Sequence, residues 1–227
     1  LIVFVFMSLI ELREDAVGYN GTAVLRELDL TIEAGERIAL VGESGSGKTT
    51  LLDLIYSRLG DSAALVPQEL GLVQALSVFQ NVYMGRLHQR SIWRNLRNLF
   101  LPFKVDIGLV LPVLKTLRLD DKIHASVGEL SGGQQQRTAV GRALFHPGDI
   151  LIADEPVSAV DEHQAREILK AITGNKPTVV LAMHDRALAI EFADRLIGIK
   201  NGVIALDEPA SGMKPSDLDD LYKNQSL

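Results

Sequence analysis

The chain has 227 residues, 47% of them apolar, with 23 Lys and Arg against 29 Asp and Glu for a formal charge of −6, and no cysteine. That apolar share supplies a packed interior and excludes general disorder, while the acidic balance argues against broad affinity for nucleic acid. The missing cysteines exclude disulfides, thiolate metal sites and a cysteine nucleophile, and they fit a reducing compartment.

Leu1 to Ile10 is an apolar run, about half the ~20 residues a spanning helix needs. It lacks the basic start and small-residue cleavage site of a signal peptide before Glu11. Either Met7 is the start and residues 1–6 are an upstream extension, or the run opens an edge strand. No other stretch is long and apolar enough to cross a bilayer, so a membrane role is expected to run through partner subunits.

Residues 9–41 read as strands divided by turns: Leu9 to Ala16, Leu28 to Ile32, and Arg37 to Val41. The third runs directly into Gly42-Glu43-Ser44-Gly45-Ser46-Gly47-Lys48-Thr49-Thr50 and then the helical Leu51 to Ile55. Strand, glycine-rich turn and helix in that order form a phosphate cradle, because glycines let successive N–H groups face one anion and the helix N-terminus adds partial positive charge. A nucleoside triphosphate is the expected ligand, with Lys48 reaching its β- and γ-phosphates and the Thr49 hydroxyl ligating the bridging magnesium.

Ala63 to Val66 makes a short strand ending at Pro67-Gln68, and from Ala75 to about Lys122 the spacing turns helical. Ser91 can cap a helix whose Ile92, Leu96 and Leu99 share one face, an amphipathic surface helix. Arg86, Arg90, Arg94 and Arg97 with Trp93 read as a solvated basic face, with lipid headgroups or a membrane partner as the sharper alternative. Pro112 predicts a helix that begins near Leu111 or kinks there.

Beyond it, Ile150 to Ala153 and Thr178 to Ala182 look like buried parallel strands joined through a helix at Gln164 to Ile172. Asn201-Gly202 between Leu196–Lys200 and Val203–Leu206 is a two-residue hairpin signal. The tail from Ser216 is polar with a short helical pattern and receives no chemistry. The fold class expected is α/β: a P-loop nucleoside triphosphate hydrolase core with a mostly parallel sheet, N-terminal antiparallel strands and an inserted helical subdomain. We place the core at about 7–74 and 136–210, the subdomain at about 75–135 and a tail at 211–227, within a single domain.

Ile152-Ala153-Asp154-Glu155-Pro156 puts two acids at the C-terminal end of a buried strand, where doubly wound folds place ligands. Asp154 is expected to hold magnesium, and Glu155 to orient or deprotonate the attacking water. A second anion-facing helix start is Leu130-Ser131-Gly132-Gly133-Gln134-Gln135-Gln136-Arg137.

With this signature loop in place the sequence resembles the ABC ATPase family, from about Leu9 to Val203 and in the family's motif order. The resemblance implies ATP and Mg2+ as ligands and gives roles to loops the motifs alone rank weakly. Gln68 becomes a magnesium and water contact, Ser158-Ala159-Val160-Asp161 a loop crossing between subunits, His184 a γ-phosphate ligand and Tyr19 an adenine-stacking aromatic. Val160 stands where leucine is more familiar, a change of volume only.

The resemblance further implies a head-to-tail dimer with two sandwiched ATP molecules. Each site takes Lys48, Thr49, Gln68, Asp154, Glu155 and His184 from one chain and Ser131, Gly133 and Asp161 from the other. Leu72 to Val82, Gly85-Arg86-Leu87 and Ala193 to Ile199 look most like the ATPases of phosphonate-type importers. That implies integral membrane permease subunits as partners, a solute-binding protein indirectly, no nucleic acid, and a place on the cytoplasmic face of the cell membrane. The alternative is a soluble or accessory ABC ATPase, such as one associated with a carbon–phosphorus lyase complex.

Overall fold

The computed structural model describes residues 8–19 and 22–222, and these fall into two units. Both readings of residues 1–6 concern positions outside the described residues. The first unit comprises residues up to 62, 152–155 and from 177 onward, and the second residues 63–151 and 156–176.

In the first unit, β1 (Ser8–Tyr19) and β2 (Thr22–Glu33) pair antiparallel in a sheet of their own, with Leu12 opposite Leu30. Leu12, Leu25, Leu28, Leu30 and Ile32 are buried. Both strands outrun the sequence expectation, because cross-strand pairing carries the mixed stretch Thr22 to Glu27 into the sheet.

The larger sheet of this unit runs β5 (Ile150–Asp154), β6 (Thr178–Ala182), β3 (Arg37–Val41), β7 (Arg195–Lys200), β8 (Val203–Pro209). Strand β3 is parallel to β6, Leu40 facing Ala182, and to β7, Leu40 facing Ile197. Apolar runs such as Ile38 to Val41 and Val179 to Ala182 are buried throughout, as strands covered on both faces require. β7 and β8 form the hairpin expected from Asn201-Gly202, whose φ values of 52° and 77° are the left-handed pair a two-residue primed turn demands. The remaining helices here are α1 (Lys48–Leu59) and α7 (Arg186–Phe192).

The second unit holds β4 (Ala63–Val66) beside the start of β5, and the helices α2 (Val78–Tyr83), α3 (Ile92–Phe100), α4 (Lys104–Thr116), α5 (Gly132–Phe145) and α6 (Glu162–Asn175). Helix α5 is its spine, burying Thr138 to Gly141 and Ala143 to Phe145. Gly141 lets its neighbours close in, since a Cβ there would lie 3.1 Å from Val82 and 3.2 Å from Leu117. The fully buried Asn81 amide binds the Val73 amide and carbonyl and the Leu76 and Ser77 carbonyls, tying the stretch before α2 to that helix.

Two expectations in this unit are corrected. Of the two readings of Pro112, the start near Leu111 is the one corrected: helix α4 starts at Lys104 and Pro112 sits inside it. Pro112 and Gly108 are both exposed, so the carbonyl that proline leaves without a donor faces solvent. The arginines are not a uniformly solvated face. Arg94 forks onto the wholly buried Asp106 at 2.8 and 3.0 Å, and Arg86 donates to the Phe145 carbonyl at 2.6 Å while lying over its ring. Arg97 stacks on Phe103 at 3.9 Å. Exposure falls instead on the apolar side chains Ile92 (80%), Trp93 (81%) and Phe100 (79%).

Burial by itself would raise the Asp106 pKa. The hydrogen bonds from Arg94 and Asn98 and the charges of Arg94 and Arg90 outweigh it and hold the acid below 3.8. The folded value therefore lies under the unfolded one, and the pair's stabilisation is complete above about 3.8 and drains away as pH falls through the folded value. Arg94→Ala, which leaves this carboxylate buried without its partner, is expected to melt lower than Asp106→Asn at neutral pH. The two should converge on acidification in melts followed by circular dichroism.

Candidate functional site

The loop 42–47 leaves β3 and enters α1 without a side-chain cap, Gly47 at the N-cap holding φ 113°. The first amides of α1 have no intrahelical partner by geometry and open onto the loop. A Cβ on Gly47 would meet Leu25 at 2.5 Å and one on Gly42 the Ile199 carbonyl at 2.3 Å, so neither position admits a side chain. Gly45 also needs its freedom, at φ 78°. Ser46 donates its amide to the Glu43 carbonyl at 3.2 Å, while its buried hydroxyl has no protein partner. A buried hydroxyl left unsatisfied in a glycine-rich loop is what an anion site provides.

Lys48 is 6% exposed, and its ammonium donates to the Gly42 and Glu43 carbonyls at 2.8 and 2.9 Å. Burial lowers its pKa, with the charges of Glu155 and Asp154 acting against that fall. The Thr49 hydroxyl donates to Asp154 at 2.6 Å. Burial raises the pKa of Asp154, the Thr49 hydrogen bond opposes it, Glu155 adds to the rise and Lys48 lowers it. Among the described residues no three His, Cys, Asp or Glu cluster as a metal site. One carboxylate and one hydroxyl do fit magnesium, which keeps waters and phosphate oxygens as most of its ligands.

Glu155 follows β5 and stands at φ 52°, left-handed for a residue with a side chain, its amide donating to the Ala182 carbonyl at 3.1 Å. That contact places the end of β5 beside the end of β6, from which His184 extends. The Glu155 carboxylate and His184 Nε2 are 2.5 Å apart. Tyr19, 55% exposed, donates to Asp53 on α1 at 2.9 Å. Its pKa is raised first by that hydrogen bond, then by burial and the Asp53 charge. The first unit thus gathers Tyr19, residues 42–50, Asp154, Glu155 and His184. Within the loop Gly42 contributes its carbonyl, since its amide donates to the Tyr222 hydroxyl at 3.1 Å.

Gln68, Ser131 to Gln134 and Asp161 belong to the second unit. Ser131 caps α5 through a reciprocal box with Gln134, donating its amide at 3.0 Å and accepting one on its hydroxyl at 3.3 Å. Gly132 lies 3.9 Å, by an added Cβ, from Ala159, and Gly133 2.9 Å from Val160, so the glycines let the 158–161 loop lie against the helix start. Buried Gln136, unassigned by sequence reasoning, fastens that loop by accepting from the Ala159 amide at 3.0 Å and donating to the Ser158 hydroxyl at 3.2 Å. Its position on the buried face of α5 was the available signal. Asp161 caps α6, accepting the Gln164 amide at 2.9 Å, the first cause of its lowered pKa. Gln68 is exposed in the turn after β4. Arg142 of α5 holds that turn by donating to the Leu70 and Gly71 carbonyls at 2.7 and 2.6 Å.

A glycine-lined cradle at the end of a parallel strand, with a buried lysine and strand-end acids beside it, defines a nucleoside triphosphate-binding P-loop fold. The family model described as ABC transporter matches residues 25–158. Among curated proteins, "Phosphonates import ATP-binding protein PhnC 1" of Pseudomonas syringae pv. tomato is 36% identical over 97% of this chain and 92% of its own length. "Phosphonates import ATP-binding protein PhnC 3" of Halalkalibacterium halodurans is 33% identical over 94% of each. Among solved structures, a post-hydrolysis dimer of the cassette MJ0796 bound to ADP and Pi matches with a TM-score of 0.75 at 25% identity, over 88% of this chain and 98% of that one. The chain belongs to the ABC transporter family, as an ATP-binding and ATP-hydrolysing cassette.

The left-handed backbone of Glu155 makes a reversed substitution order testable. Glu155→Gly is expected to be more stable than Glu155→Ala by about 1 kcal/mol in urea denaturation, although glycine ordinarily ranks below alanine.

Proposed function

We propose that the chain is the ATPase subunit of an ABC importer, driving uptake of a phosphonate-like small solute through a separate membrane permease. The observation that carries the catalytic part is the convergence of the Lys48 loop, Asp154, Glu155 and His184 at the ends of β3, β5 and β6. The names of the relatives supply the import direction and the solute class.

In this reading the amides of the loop and of the start of α1 bind the phosphates, with Glu43, Ser44, Gly45, Ser46, Gly47 and Thr50 lining the chain of anions. Lys48 keeps one donor on the Gly42 carbonyl and turns the others to the β- and γ-phosphate oxygens. Thr49 and Asp154 would hold magnesium, with Gln68 as a further contact to it and to water. Held there, the ion would supply positive charge against the phosphates. Glu155 positions a water in line with the γ-phosphorus and takes up its proton as the bond to the β–γ bridging oxygen breaks, leaving ADP and phosphate. His184 leaves Glu155 to hydrogen-bond the γ-phosphate, and Tyr19 stacks on adenine.

A second copy, head to tail, completes each site with Ser131, Gly132, Gly133 and Gln134 at one helix start and with Asp161. ATP then favours the closed pair, and loss of the γ-phosphate releases it.

One observation supports the membrane partner. The second unit carries a groove of about 330 Å³ lined by Leu76, Tyr83, Leu87, Ile92, Leu96 and Leu99, beside exposed Trp93 and Phe100. An apolar helix of a permease loop suits such a groove. The chain would then sit on the cytoplasmic membrane face through that permease, with a solute-binding protein acting from the far side.

Glu155→Gln is expected to bind ATP, accumulate as dimer in size-exclusion chromatography and hydrolyse at least about 100-fold more slowly. Parental turnover would remove Glu155 from the mechanism. Lys48→Ala should weaken ATP binding itself by about tenfold or more in calorimetric titration, as expected for a lost charge-assisted contact.

A further inference from the structure

The segment Pro215–Tyr222, polar in sequence and given no chemistry there, is a 3₁₀ turn folded back onto the first unit. Leu218 is wholly buried, and Leu221 packs over Gly198 of β7 so closely that a Cβ there would lie 2.5 Å from it. Lys200, at the end of β7, donates to the Asp220 carbonyl. The anchored turn delivers the Tyr222 hydroxyl to the amide of Gly42 at 3.1 Å, the first residue of the phosphate loop. Gly42 is buried and cannot reach another partner by shifting outward, because its α-carbon already faces the Ile199 carbonyl.

The same tyrosine reaches the other end of the site. Arg186, the first residue of α7 and two beyond His184, lies over the Tyr222 ring at 4.0 Å and pairs with Asp219 at 2.5 Å. One turn therefore touches the residue that opens the phosphate loop and a residue two past the histidine.

We infer that Tyr222 is a positioning residue for ATP binding, its hydroxyl fixing the Gly42 peptide so that the Gly42 carbonyl stays aimed at Lys48. The 2.8 Å bond from Lys48 to that carbonyl is made by the same residue whose amide Tyr222 holds. Losing the hydroxyl leaves a buried amide unpaired, which the loop relieves by tilting the peptide and with it the ammonium. Tyr222 touches neither nucleotide nor metal in this account, and it rests on the phosphate-loop reading given above.

Tyr222→Phe in the full chain tests the hydroxyl alone, since the ring stays over Arg186 and Leu221 stays packed. ATP affinity is expected to fall about fivefold in calorimetric titration, the worth of one hydrogen bond. The turnover rate at saturating ATP should stay within about twofold of the parent, because bound phosphates draw the Lys48 ammonium back to them and Glu155 is unaltered. Amide exchange in the peptide containing Gly42 should accelerate, while that of Val179 to Ala182 stays unchanged. Parental ATP affinity with parental exchange at Gly42 overturns the assignment. So does a lowered melting temperature with parental affinity, which makes the turn merely structural. Lys48→Ala run alongside separates the two failures: if it loses affinity and Tyr222→Phe does not, the phosphate loop stands and the brace falls. A parent chain that binds no ATP removes both.

Discussion

A buried ammonium sets the terms for everything around the phosphate loop. Lys48 sits out of water with its charge answered by two carbonyls of its own loop and, farther off, by Asp154 and Glu155. Charge removed from water is costly unless paired, so the loop must stay folded around the lysine and the two acids must stay near it. That requirement explains the glycines at 42 and 47, which bring carbonyl and ammonium together where any side chain would strike Ile199 or Leu25. It also explains why Asp154 is held by Thr49 rather than left to solvent. The arrangement is balanced internally and still has an unsatisfied hydroxyl at Ser46, a polar interior shaped for a ligand more negative than its own groups.

One of the five left-handed non-glycine residues among those described lies at the candidate site. Glu155 keeps a left-handed backbone that costs a residue with a Cβ about 1–2 kcal/mol, at the acid proposed to face water rather than the metal. The twist separates its side chain from that of Asp154, its neighbour in sequence, so adjacent carboxylates take different partners: Thr49 for one and His184 for the other. Asp161 likewise serves α6 as a cap while standing in the loop assigned to the neighbouring copy.

Much of this was legible beforehand because glycine spacing, strand-end acids and hairpin dipeptides are local signals. The phosphate loop, the β7–β8 turn at Asn201-Gly202 and the Ser131 cap each follow from a few adjacent residues. What escaped depends on partners distant in sequence. Arg94 looks like any surface arginine until Asp106 is found buried beneath it, and helix α4 runs through Pro112 because solvent accepts the freed carbonyl. The length of β2 comes from β1, and Gln136 and Tyr222 gain meaning only from loops 22 and 180 residues away.

The outward-facing Ile92, Trp93 and Phe100 bear on how such a chain must be made. Arg94 turns inward to neutralise Asp106, so on this helix it leaves Arg97 as the exposed charge beside the apolar side chains. On the docking role proposed for this face, self-adhesion competes with the permease for the same apolar side chains, which ties soluble yield to balanced synthesis of the two.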